Sequence, residues 1–135
     1  MRAALTLLLL LGTACAEDEA TLAGRWRLTR SLAVGEYACG DWAPAPLVVT
    51  LTPGASMPVD LGDAALLVDV GTVSEDVVEF TSNELPYSDR PGHAVDIVHH
   101  LRFEDGVLVG EGTAPDTISD IACETRLDIT AVRVR

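Results

Sequence analysis

The chain has 135 residues, with 9 basic side chains that are all Arg against 21 Asp plus Glu, for a formal net charge of −12. Nothing in that balance could neutralise a run of phosphates, which excludes a nucleic-acid binder and argues against protein charge holding the chain to an anionic membrane. Hydrophobic residues are 48% of the chain, too many for a disordered acidic tail, and the length predicts one domain whose interior is lined by Val, Leu, Ile and Ala.

The chain opens with Met1 and Arg2, an uncharged apolar stretch from Ala3 to Leu11, the small residues Gly12, Thr13 and Ala14, and then Cys15. This is the order of a secretory signal peptide. Its apolar part is far shorter than the roughly 20 residues of a membrane-spanning helix. Leu11-Gly12-Thr13-Ala14-Cys15 resembles a bacterial lipobox. That resemblance implies removal of residues 1–14, lipidation of Cys15 and, with Ala16 next, sorting to the outer membrane. Ala14-Cys15-Ala16 also reads as an ordinary signal-peptidase site with cleavage after Ala16, giving a soluble periplasmic or secreted chain. Both cuts export the protein to an oxidising compartment. Cys39 and Cys123 are then left as a pair, near the two ends of the mature chain. A disulfide is expected; two free buried thiols or metal ligands are the alternatives, although no CxxC or nearby His spacing supports zinc.

Residues 15–20, with Glu17, Asp18 and Glu19, form an acidic tether ahead of a domain at 21–135. From Leu22 to Thr29 the pattern has period two and predicts a strand with Trp26 and Leu28 inward. Leu47, Val49 and Leu51 predict a second strand between Pro46 and Pro53. Ala64 to Val70 reads as a strand or as a short helix capped by Asp63. Gly71–Val73, a Ser74-Glu75-Asp76 turn and Val77–Phe80 predict a hairpin. Val95, Ile97, His99, Leu101 and Phe103 share one face of the next strand, and Asp105-Gly106 is a strong hairpin turn. Val107–Val109 leave that turn, and Gly110, Gly112, Pro115 and Asp116 are expected to end the strand. Ile121, Cys123, Leu127, Ile129 and Ala131 predict a long last strand with these residues inward. Loops are expected at 35–46, 53–62, 82–92 and 113–119. Seven or eight strands with little helix indicate an all-β protein, either a small antiparallel up-and-down barrel or a β-sandwich.

Gly24-Arg25-Trp26 on the first strand and Arg133 near the end of the last resemble the lipocalins and related calycin barrels. The likeness extends to small bacterial lipocalin-like lipoproteins, through the late Cys123 and Thr130-Ala131-Val132-Arg133. The resemblance implies that Gly24, Trp26 and Arg133 close the barrel floor, with the guanidinium over the indole. It also implies an interior that binds a small apolar or amphipathic ligand. Val49, Leu51, Val78, Phe80, Ile97, His99, Leu101, Leu127 and Ile129 are the expected lining. Small periplasmic protease inhibitors share such barrels, so a protein-binding module, such as an inhibitor of a secreted hydrolase, is the alternative. Tyr37, Trp42 and Tyr87, on loops, are its candidate contacts, or else pack over the disulfide and plug a barrel end.

His99 is the one candidate acid–base group at an inward position, and a core histidine hydrogen-bonded to a neighbour is the commoner role. His99 and His100 point to opposite faces of one strand and cannot share a metal. No nucleophile, calcium-loop or phosphate-cradling motif is present. The expectation is therefore a non-enzyme without cofactor or metal, whose membrane contact is its lipid anchor alone.

Overall fold

The computed structural model describes residues 21–34, 38–54 and 65–135, with backbone only at 65–70. The signal segment with Cys15, the tether and Tyr37 lie outside the described residues. Seven strands follow in chain order: β1 Gly24–Leu32, β2 Leu47–Leu51, β3 Ala65–Val73, β4 Val77–Glu84, β5 Val95–Glu104, β6 Val107–Ile118 and β7 Ile121–Val134. They form one curled antiparallel sheet in the order β2-β1-β7-β6-β5-β4-β3, as in a small up-and-down barrel. The stretch from Ala65 is strand, not helix.

The first and last strands pair, with Trp26 opposite Arg133 and Leu28 opposite Ala131. Seven is an odd number. Six antiparallel steps lead from β2 to β3, so these edge strands run in the same direction and cannot continue the alternation. At their lower ends, the Gly54 N–H donates to the Val73 carbonyl at 3.0 Å. The hairpin turn at Asp105-Gly106 has both residues at positive φ, 53° and 80°, as its sequence predicts.

Two strand boundaries and one side-chain orientation differ from expectation, each for a physical reason. β6 does not stop near Gly110 but runs on through Pro115. Gly110 sits where a Cβ would fall 2.0 Å from the His100 carbonyl oxygen, and one on Gly112 would touch Ile129 and Leu127. These glycines admit a neighbouring strand and bulky core residues; they do not mark a break. Pro115 is tolerated because the β5–β6 ladder ends at the Val98–Thr113 pair, leaving β6 only β7 as a partner. β4 also extends through Ser82 to Glu84, inside the expected loop, because these inward polar residues have interior partners. Ile121, expected inward, is 71% exposed, since the β6–β7 hairpin overhangs the rest of the sheet.

Candidate functional site

Strand alternation puts Val49, Leu51, Val78, Phe80, Ile97, His99, Leu101, Leu127 and Ile129 on the inner face, and each is 2% exposed or less. A void able to hold even one water would leave accessible surface on its lining. These nine side chains have almost none, so they pack on one another. Each apolar side chain so buried contributes about 1.5–3 kcal/mol.

Through this apolar interior runs a polar chain that sequence reasoning missed. Arg30, on the inward parity of Trp26 and Leu28, donates from Nη1 to Glu84 Oε2 at 2.5 Å and from Nη2 to Glu84 Oε1 at 2.8 Å. Nη2 also reaches the Ala45 carbonyl at 3.1 Å, and Ser82 Oγ donates to Glu84 Oε2 at 2.6 Å. Arg30 Nη1 lies 3.2 Å from His99 Nε2. A guanidinium has no acceptor, so Nε2 must accept, and the His99 proton sits on Nδ1, facing the Phe80 carbonyl at 3.4 Å. The imidazole stacks on the Phe80 ring, with centroids 4.1 Å apart. Among the described residues, every buried side-chain polar atom has a partner. The inward parity of Arg30 and Glu84 was the available signal, but polar residues at core positions read as strand ends until both partners are known.

This arrangement fixes two protonation states. Burial opposes ionisation of Glu84, but the hydrogen bonds and charge of Arg30, with the Ser82 hydroxyl, outweigh it and hold the carboxyl below its ordinary range. Burial above all, and then the Arg30 charge, depresses His99 from 6.5 to about 4. His99 is therefore neutral at physiological pH. Below pH 6.5 the unfolded chain takes up a proton there that the folded chain refuses until about pH 4, so stability is lost on acidification through that window. The expected loss is about 3 kcal/mol, at 1.36 kcal/mol for each pH unit of the shift. Denaturant titrations at pH 7 and pH 4 measure it, and in His99→Gln the part of the loss due to this side chain disappears.

The end of the barrel near the disulfide, its mouth, is filled by loop residues. Cys39 and Cys123 are joined, with Cα atoms 5.9 Å apart. Tyr87, expected as an exposed loop contact, is only 3% exposed: its hydroxyl lies 2.7 Å from Thr125 Oγ1, which also accepts the Cys39 N–H. Burial raises the Tyr87 phenol above its ordinary range. Trp42 is half-buried, packs edge-on against Tyr87 and donates from Nε1 to the Arg30 carbonyl at 3.0 Å. These two aromatics plug the mouth. Arg90 and His93 both contact Asp116 at 2.8 Å, holding the loop after β4 against β6. Beside the plug, β1 runs on beyond Leu28, the last residue paired with β2. A groove of about 580 Å³ opens there between Arg27–Leu32 and the Trp42, Pro44, Ala45 and Pro46 segment.

At the opposite end, the floor, the Arg133 guanidinium lies 4.3 Å from the centre of the Trp26 ring. It also donates to the Ala23 and Thr21 carbonyls, both at 2.7 Å, beside Gly24. The Trp26 indole N–H is bonded to the Leu22 carbonyl, and Phe103 packs edge-on against the ring. Such cation–π contacts contribute about 0.5–2 kcal/mol.

Comparison of the chain with protein-family models, with curated proteins and with solved structures finds no match in any of the three.

Proposed function

We propose that this protein is an exported, lipid-anchored β-barrel that binds a protein partner at its mouth, and that its interior is a scaffold with no cargo site. The observation that carries this reading is the packing of the nine expected pocket residues, with the Arg30–Glu84 pair crossing among them. A drug-sized ligand needs a cavity of about 300 Å³ or more. The lining expected for one is spent on core packing instead.

The mouth has what a docking surface needs. The segment from Cys39 and the loop after β4 are held by the disulfide and by the Asp116 contacts, so little of their freedom is lost on binding. Val34, Leu85 and Ile121 are 97%, 57% and 71% exposed around it. Asp41, Asp89 and Asp120 are exposed there too, which favours a partner with a basic rim around an apolar contact. The groove beside Trp42 is the expected seat of one partner segment.

Photoreactive amino acids at Ser31 and Val34, on the mouth side, and at Val107, at the floor, test this in the producing cells. Discrete protein adducts from the two mouth positions and none from Val107 are expected. Equal adducts from both ends would overturn the reading. So would a stoichiometric small molecule, in addition to the anchor, retained on the extracted protein in native mass spectrometry.

A further inference from the structure

Net charge hides an arrangement that strand parity and register reveal. On the outer face of the sheet, near the floor, Arg25 lies between Thr50 of β2 and Val134 of β7, and Arg27 lies between Val48 and Val132. Both arginines are exposed, and Val132 is 67% exposed. None of the ion pairs among the described residues involves Arg25 or Arg27. No carboxylate stands in this group of six. Apart from Glu104, at the floor end of β5, the outward carboxylates of the long strands begin two outward positions nearer the mouth than Val132: Glu79, Glu111 and Asp128 fall in one cross-strand row with His100, and Asp96 and Glu124 lie beyond it. The acidic floor turns, Glu75-Asp76 and Glu104-Asp105, belong to the β3–β4 and β5–β6 hairpins; the first follows Val73, whose carbonyl accepts the Gly54 N–H just beyond β2, so these carboxylates border the patch without entering it. The outer face is thus positive and apolar at the floor along β2, β1 and β7, and negative towards the mouth.

The chain enters the barrel at the same place. Arg133 grips the Thr21 carbonyl at the floor. Cys15 therefore lies within roughly 21 Å of Thr21 even with the tether fully extended.

We infer that the Arg25/Arg27 face, with its flanking valines, rests on the anionic lipid headgroups of the membrane that holds the anchor. The inference builds on the lipid-anchored reading above. It commits the protein to one orientation, lying on the β2–β1–β7 side of its floor with the plugged mouth turned outward. A guanidinium is suited to lipid phosphate through its paired donors. A tether this short keeps the patch at the surface, so two arginines suffice to bias the pose where they would not recruit a free protein.

The test uses the lipidated protein in phosphatidylcholine vesicles with and without 30% phosphatidylglycerol, with a photoreactive amino acid at Val132 or at Glu124. These two positions share the outer face of β7, one near the floor and one near the mouth. Lipid adducts at Val132 that increase with phosphatidylglycerol, and none at Glu124, are expected. Arg25→Gln with Arg27→Gln is expected to lower the docked-to-free ratio about 25-fold, at about fivefold for each arginine near an anionic surface. Arg126→Gln, on the mouth half of the same face, is expected to leave it unchanged. If intact mass shows the acylated Cys15 but Val132 labels neutral and anionic vesicles alike, or labels protein instead, this inference fails and the anchor stands. If intact mass shows cleavage after Ala16, both fail.

Discussion

Replacing Cys39 and Cys123 together by alanine is expected to lower stability by about 4–5 kcal/mol. The bond joins residues 84 apart in sequence, and in the chain-entropy model closing a loop of that length removes about this much freedom from the unfolded chain. Losses in the folded state add to it. Cys39 stands at the head of the segment that carries Trp42, and its N–H is bonded to Thr125 Oγ1, which also meets the Tyr87 hydroxyl. Guanidinium titrations of the oxidised protein and the double variant measure the difference. If unfolded-state entropy dominates, the unfolding rate changes little and refolding slows. If anchoring of the mouth plug dominates, unfolding accelerates and Trp42 fluorescence shifts to the red before the global transition.

The Glu84→Gln variant is expected to lose about 3–5 kcal/mol, the cost of leaving a buried charge without its counter-charge. Arg30 and Glu84 side chains are 1% and 3% exposed, so solvent cannot replace the missing carboxylate. The control is the double variant Arg30→Met with Glu84→Met, which removes both charges and replaces them with apolar volume. It is expected to lie within about 1–2 kcal/mol of the parent, or above it. Thermal and denaturant unfolding of the three proteins close the cycle. A Glu84→Gln protein as stable as the parent would mean that water reaches Arg30 and that the interior is more open than its burial indicates. The single variant should also move the neighbouring histidine further from its ordinary value: His99 keeps the Arg30 charge beside it and loses the Glu84 charge that favours its proton, so its protonation moves further down in pH.

What was legible in the chain follows from period two. Alternation placed all nine interior residues correctly, because the inward positions of these runs repeat every second residue, even where Val48, Val77 or Val98 puts an apolar side chain on the outer face. The joining of Cys39 to Cys123 was legible because export leaves these two cysteines as a pair, and the meeting of Trp26 with Arg133 was legible through the resemblance of the chain ends to calycin barrels. The ion pair was not. Arg30 and Glu84 are 54 residues apart, and each alone breaks the apolar alternation of its strand; only the fold shows that each excuses the other. Pro115 and the glycines of β6 misled in the opposite direction, because their meaning depends on which neighbouring strand is present. The arginine face was hidden by addition. A total of −12 states how much charge there is, whereas the register states where it sits.

The odd strand count has a mechanical consequence. Between β2 and β3 the described residues form no ladder, while Arg30 on β1 and Glu84 on β4 reach towards each other from the two flanks of that gap. The molecule is built like a split collar. Among the described residues its girth there is set less by a backbone ladder than by an internal buckle, with a few clasps at the two rims where Gly54 meets Val73 and the Asp41–Ala43 segment meets Pro86–Ser88, and undoing that buckle would let the middle of the cylinder spread.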